Sequence, residues 1–559
     1  LATKEDRWYR FLSSSDTYDP DRLSFDRELL RRFYLSKGHA DFRVVSGVAE
    51  LTPDRGGFFV TLTVEEGETY QFGAIDLRSE LRDLDREQLF QFVKSASGEI
   101  YNANLVEETI QALTFEVGKL GYAFIDIKPE IKRDREKRTI DVTYVVDEGP
   151  RTYVGRIEIG GNVRTLDRVI RREFDLNEGD AYNSAKLRRS RRNIRGLGFF
   201  DKVELKEERG SAPDRTNVLV NVEERSTGEL AVGLGFSTTD SILGDVSIRE
   251  RNLLGRGQDL RLGVTVSARR QQVDLSFTEP YFLDRNLAAG FDIFKVGRDL
   301  QDESSYDEDN TGFGLRAGFP IAENLRQSLR YTLRKVSIEN VGAGASRFIR
   351  EQAGERTISS VGYTLIYDLR DDRIEPTRGY SIEFSQDAAG LLGSVRFLKS
   401  TIDYSYYFPL SDQWIANLAM TQGYIFGVGQ DVNIGDRFFI GGTNFRGFQN
   451  AGIGPRDRTT EDSLGGNLFY VGTAETRFPL GLPNEFDILG RFFVEAGSLS
   501  QIDDSGPGLV DKGSVRLSTG IGLSWRSPFG PIRVDYAIPI LKEDFDQEEA
   551  FRFSFGARF

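Results

Sequence analysis

The stretch Arg516-Leu-Ser-Thr-Gly-Ile-Gly-Leu-Ser-Trp525 sets Leu517, Thr519, Ile521, Leu523 and Trp525 against Arg516, Ser518, Gly520 and Gly522. Successive side chains of a β-strand point to opposite faces, so this alternation reads as a strand with one apolar face and one face of polar and small residues. Leu260, Leu262, Val264 and Val266 oppose Arg261, Gly263 and Thr265 in the same way. Sixteen such segments begin near Gly228, Leu243, Asp259, Gln271, Asn286, Thr311, Leu325, Thr357, Gly379, Ser394, Trp414, Asn467, Phe486, Val515, Pro531 and Phe551. Sixteen is an even number, as single-chain bacterial membrane barrels require, and so wide a lumen could not be filled by side chains, which places the apolar face outside. Residues 226–559 are therefore expected to form an all-β membrane barrel of 16 antiparallel strands.

One connection in this half is far longer than a turn. Residues 427–466 join two alternating segments and carry Ile440-Gly-Gly-Thr-Asn-Phe-Arg-Gly-Phe448, an arginine framed by aromatics and glycines. A connection of that length usually carries function, and this one is expected to fold inward as a plug whose motif is Phe445, Arg446, Gly447 and Phe448. A guanidinium removed from bulk water needs a carboxylate partner. In the segment from Phe486 to Gly497, Leu489, Arg491, Phe493 and Glu495 share the lumenal face, which makes Glu495 the expected partner. Asp535, between outward Val534 and Tyr536, is the second candidate.

The first 225 residues repeat themselves. Phe72-Gly-Ala-Ile-Asp-Leu77 returns as Val154-Gly-Arg-Ile-Glu-Ile159, and Lys37-Gly-His-Ala-Asp-Phe42 returns as Leu120-Gly-Tyr-Ala-Phe-Ile125 and Leu197-Gly-Phe-Phe-Asp-Lys202. The period is about 80 residues, and each copy reads strand, helix, helix, strand, strand, with Gly38, Gly121 and Gly198 capping the second helix. The expected α+β units are 68–149 and 150–225, with 1–67 as a partial copy lacking its opening strand. A small sheet on two helices leaves an edge strand to which an extended chain can add; here that edge is Phe124, Asp126 and Lys128.

Composition narrows the function. A net charge of -14 argues against a nucleic-acid partner. No run of 18 or more apolar residues is present, which excludes a membrane-spanning helix and leaves a membrane barrel open. With no cysteine and one histidine, His39, no thiol, zinc or triad chemistry can be assembled, so no catalytic residue, metal site or cofactor is expected. The acidic runs Asp299–Asp309 and Glu543–Glu549 read as solvated loops. The segment Ser184 to Leu197 reads as a helix with an exposed basic side containing Arg188, Arg189, Arg191 and Arg192.

The repeats resemble POTRA domains. After them, Asn252-Leu-Leu-Gly-Arg-Gly257, Phe277-Thr-Glu-Pro-Tyr-Phe282, Tyr367-Asp-Leu-Arg-Asp-Asp372 with Pro376-Thr-Arg-Gly379, and Gly441-Gly-Thr-Asn-Phe-Arg-Gly-Phe448 occur in the order found in the BamA family of outer-membrane protein assembly factors, which the whole chain resembles. That family usually has five POTRA domains, so an N-terminally truncated chain or a shorter relative is expected. The resemblance implies a bacterial outer-membrane location with POTRA domains in the periplasm. It also implies an insertase that works on unfolded outer-membrane barrel proteins without ATP, among outer-membrane lipid and accessory periplasmic lipoproteins. Its alternative is a translocation-and-assembly or two-partner secretion pore of the same superfamily. The family's lateral gate maps onto Gly228, Gly233 and Gly235 of the first barrel strand and Phe553, Phe555 and Phe559 of the last. The stretch Arg491-Phe-Phe-Val-Glu-Ala-Gly497 also resembles the family motif whose acidic residue holds the loop arginine, with Glu in place of the usual Asp.

Overall fold

The computed structural model describes residues 20–52, 58–79, 86–119, 125–148, 152–411, 413–483, 486–527 and 530–556. Two compact units divide the chain, Leu1–Arg225 and Ser226–Phe559.

In the first unit, strand, helix, helix, strand and strand follow one another twice in full. The second repeat consists of Gln71–Ser79, Arg86–Phe90, Ala103–Lys119, Ile125–Asp134 and Thr139–Glu148; the third of Tyr153–Gly160, Asp167–Arg171, Ser184–Gly196, Phe200–Arg209 and Arg215–Glu224. In both, the last strand is central, parallel to the first and antiparallel to the second, so the second strand lies at a sheet edge. Residues spaced for a helix meet residues spaced for a strand. Val169, Ile170, Leu187 and Ile194 from the helices bury against Val218, Val220 and Val222 of the central strand. In the first repeat the described residues form the helix Pro20–Ser36 and the hairpin Arg43–Leu51 with Phe58–Glu65. Gly38 and Gly198 follow their helices at φ 95° and 72°, a backbone that glycine adopts without strain. Gly121 lies outside the described residues. His39 packs edge-on against Tyr34, and its Nδ1 lies 3.3 Å from the Gly67 carbonyl oxygen.

In the second unit sixteen antiparallel strands close into a barrel, from Gly228–Ser237 to Phe551–Phe555. The strands that matter below are the second, Ser241–Leu253, the seventh, Leu325–Glu339, the tenth, Phe397–Pro409, and the eleventh to fifteenth: Ile415–Gly427, Leu468–Pro479, Ile488–Ser500, Arg516–Ser527 and Gly530–Leu541. The outer surface is a belt of exposed large apolar side chains, among them Leu230, Val232, Leu234, Leu262, Ile293, Leu329, Ile402, Ile521 and Ile538. A belt of that extent belongs in lipid.

The acidic runs depart from expectation. Asp299–Asp309 is strand on both sides of the one-turn helix Gln301–Ser304; Asp307 pairs with Glu339, Asp309 pairs with Ser337, and Tyr306 and Glu308 are buried. The sixth strand therefore starts at Tyr306 rather than Thr311. In the second run, Asp546 is wholly buried against Arg516 and Glu548–Glu549 forms a short strand. Glu303, Glu308 and Asp546 are withdrawn from water while Asp302 and Asp544 stay exposed, a tertiary division that a charge count does not contain.

Candidate functional site

The long connection, residues 428–467, folds into the barrel and is fixed at both ends of its path. Near its start, Asp436 on the turn Ile434–Asp436 accepts from Arg334 Nη2 of the seventh strand at 2.8 Å, and its carbonyl accepts from Lys399 Nζ of the tenth at 2.8 Å. Further on, Gly441 (φ 134°) and Gly442 (φ 67°) make a turn no side chain would tolerate: a Cβ on Gly441 would collide with the Gln449 carbonyl oxygen. Asn444 Oδ1 accepts from the Gly441 amide at 2.8 Å, and the Gly442 amide donates to the Phe448 carbonyl at 2.9 Å. This turn buries Phe445 and Phe448 completely among Ile440, Ile453, Val471 and Leu499. It also points Arg446 the other way, at the barrel wall.

Arg446 donates from Nε and Nη2 to Glu495 Oε1 at 2.8 and 2.5 Å, and its backbone amide donates to Glu495 Oε2 at 2.6 Å. Nη1 donates to Glu475 Oε2 at 2.8 Å and lies 3.8 Å from Asp535 Oδ1. The guanidinium carbon stands 3.4 Å from the centre of the Phe493 ring. Asp535 accepts mainly from Arg491 Nη2, at 2.6 Å, and from Arg533 Nε at 3.1 Å. Three arginines and three carboxylates from the loop and the twelfth, thirteenth and fifteenth strands thus balance one another, all but the half-exposed Arg533 withdrawn from water. That balance is what makes burial of so many charges tolerable. Sequence reading brought out Glu495 and Asp535 but not Glu475, which has the lumenal parity of Thr473 and Arg477 and could have been found by the same face rule.

A further attachment carries no periodic signal at all. Gly447 and Phe448 pair antiparallel with Glu549 and Glu548, the Gln449 amide donates to the Gln547 carbonyl at 2.9 Å, and the Gln547 amide donates to the Gly452 carbonyl at 2.9 Å. The plug is therefore sewn by backbone bonds to the connection that leads into the last strand.

The first strand pairs with the second at ten positions, Gly228 through Ser237, including Gly233 opposite Asp245 and Gly235 opposite Leu243. With the last strand it pairs, among the described residues, at two, Ser237 with Ser554 and Phe236 with Phe555. Around those two, the Thr238 amide donates to the Phe553 carbonyl at 3.0 Å and the Phe236 and Phe553 rings lie 6.1 Å apart. Arg552 donates to Thr239 Oγ1 at 2.6 Å and to Asn450 Oδ1 of the plug at 3.4 Å, and also pairs with Glu549. Phe559 lies outside the described residues.

In the second repeat, Asp126 and Lys128 sit on the edge strand Ile125–Asp134; Phe124 lies outside the described residues. Lys128 Nζ is 2.6 Å from Asp126 Oδ2, and this hydrogen bond with its charge attraction holds the ammonium above its ordinary pKa.

A closed barrel with an apolar outer belt, an inward loop held by buried ion pairs, and three preceding α+β repeats defines a POTRA-bearing outer-membrane barrel. Comparison with known proteins specifies it. An Omp85 superfamily domain matches residues 252–559, and the POTRA "surface antigen variable number repeat" matches residues 2–67, 70–149 and 152–225. The chain is 32% identical over its whole length to 75% of the outer membrane protein assembly factor BamA of Neorickettsia risticii, and 25% identical over its whole length to 76% of BamA of Neisseria meningitidis. The crystal structure of BamA from Haemophilus ducreyi lacking POTRA domains 1-3 shares the fold: TM-score 0.68, 24% identity, 87% of this chain and 100% of that one. The chain belongs to the Omp85 superfamily, with BamA-type relatives, and resides in the outer membrane with its POTRA repeats in the periplasm.

Proposed function

We propose that this chain is an insertase that folds β-barrel proteins into the bacterial outer membrane; its relatives are named outer membrane protein assembly factors. Extended clients add to the edge strand Ile125–Asp134 of the second repeat, and the barrel opens laterally between its first and last strands. The observation that carries this reading is the seam: among the described residues, two paired positions against ten on the other side of the same strand. Backbone groups along Gly228–Gly235 can then accept a client strand from one side while the second strand holds them from the other. Glycines at 228, 233 and 235 lower the cost of bending that strand away from its neighbour. Similarity to assembly factors over the whole chain favours this reading over a translocation or secretion pore.

The test uses the absence of native cysteine. Ser237→Cys with Ser554→Cys places a pair at a position where the two strands are in register. Cells relying on this variant should stop assembling outer-membrane barrels when oxidised and recover on reduction. Normal assembly with complete cross-linking on a gel would exclude lateral opening, and a secretion pore acting through the lumen would give that result.

A further inference from the structure

The third repeat carries a surface of its own, apart from the client edge of the second repeat. Its helix Ser184–Gly196 buries Leu187, Ser190 and Ile194 and exposes Lys186, Arg188, Arg189, Arg191, Arg192 and Arg195, in a chain whose net charge is -14. Arg189 pairs with Asp175 at 3.2 Å; the last turn of the helix lies at the end of the sheet where Arg225 Nε donates to the Gly198 carbonyl at 2.8 Å. At that same end, residues 161–166 form a loop on which Val163 is 91% and Leu166 42% exposed, flanked by exposed Arg164 and Arg168.

This loop is held in place. The amides of Arg164 and Thr165 donate to the Glu224 carboxylate at 2.9 and 2.6 Å, and Asn162 Nδ2 donates to the Thr165 carbonyl at 2.9 Å and to Asp167 Oδ1 at 2.7 Å. Gly161 turns at φ 88°, where a Cβ would collide with the Val222 carbonyl oxygen. Hydrogen bonds on both sides thus fix a loop that presents an aliphatic side chain to water. With Leu166 and the neighbouring arginines it makes this end of the repeat amphipathic.

We propose that this end of the third repeat docks on the anionic phospholipid surface of the periplasmic leaflet. Val163 and Leu166 enter the headgroup layer, and Arg164, Arg168 and the helix arginines pair with lipid phosphates. Apolar side chains set among cations match a layer that offers phosphates above acyl chains. The covalent chain keeps the surface within reach. Only Arg225, Ser226 and Thr227 separate Glu224, whose carboxylate holds the loop, from Gly228, where the barrel begins. Such a link spans no more than about 14 Å fully extended.

The full chain, which has no native cysteine, can carry an environment-sensitive dye at Val163→Cys in nanodiscs of phosphatidylcholine alone or mixed with phosphatidylglycerol. In the anionic discs the dye should shift to the blue and lose roughly twofold or more of its accessibility to a neutral quencher, with partial reversal by salt. Adding Arg191→Glu and Arg192→Glu should abolish the shielding while a semi-native gel still shows a folded barrel. A dye at Glu136→Cys, on the turn between Ile125–Asp134 and Thr139–Glu148, should stay accessible throughout. Equal accessibility of the 163 dye in the two discs overturns the proposal. So does shielding that appears only when an acidic protein is added, which would assign the face to a protein partner.

Discussion

Among the described residues, the first barrel strand pairs at ten positions on one side and two on the other, whereas the thirteenth strand pairs at twelve positions with the twelfth and ten with the fourteenth. The thirteenth strand is also the one that carries Glu495, and through it the plug. One wall of the barrel is thus closed by both backbone and buried charge; at the seam, among the described residues, the paired backbone is short, and the side chains that cross it lie at the same end. Pairing energy in a barrel is distributed by strand register, and at the seam the described register covers Phe236 and Ser237 of the first strand. On the proposed reading, opening is confined to the seam because the plug-bearing wall has too many simultaneous bonds to yield. The two regions are not independent, since Gln547–Glu549 bonds to the plug and leads directly into Phe551–Phe555.

The sharpest way to break this contrast is to unfasten the strong wall. Glu495→Ala removes the acceptor for three bonds from Arg446 and leaves a buried guanidinium hydrogen-bonded to Glu475, with Asp535 at 3.8 Å. The expected loss is about 3–5 kcal/mol, the usual result of deleting one partner of a buried pair, seen as a large drop in the temperature at which the folded band disappears on a semi-native gel. A cycle with Arg446→Ala should show strong non-additivity. Additive losses would mean that the plug is held by its apolar contacts and that the charge cluster is incidental.

A smaller effect tests the connection between the two regions. Gly447 lies at φ 94°, with Ser518 Cβ 3.2 Å from where its own Cβ would stand, and it pairs with Glu549. Gly447→Val should therefore cost about 1–3 kcal/mol in backbone strain and lost pairing. Because that pairing precedes the last strand, the variant should also change the rate at which Ser237→Cys and Ser554→Cys oxidise. An unchanged rate beside a lowered melting temperature would separate plug from seam.

How much of this could be read from sequence follows from what each part is made of. The sixteen strands were legible because lipid outside and water inside impose a period of two on every crossing. Glu495 was legible for the same reason, as a carboxylate on the lumenal face, and Glu475 was available by the same rule. The bonds from Gln547–Glu549 to the plug had no such signal, since a two-residue strand has no period and an acidic run looks solvated whatever lies over it. Asp546, wholly buried against Arg516, shows how far composition can mislead there. Nor was it readable which residues of the first and last strands pair: Phe551–Phe555 alternates as well as any strand, and pairing partners are a property of closure.

The smallest expected effect belongs to the seam itself. Phe236 and Phe553 meet across it with ring centroids 6.1 Å apart and ring planes inclined at 44°. In a soluble core such a pair contributes about 0.5–1.5 kcal/mol beyond its burial. On a barrel wall the alternative to the partner ring is lipid, which is equally apolar, so the lower end of that range applies. Phe236→Ala and Phe553→Ala should leave the melting temperature on the gel almost unchanged, because the plug-bearing wall sets it. They should instead favour the parted seam by roughly twofold, readable as slower disulfide formation between Ser237→Cys and Ser554→Cys and as non-additivity in the double variant. A fall in melting temperature comparable to that of Glu495→Ala would show that the seam, and not the plug wall, limits the stability of the barrel, and the contrast drawn between the two regions would have to be reversed.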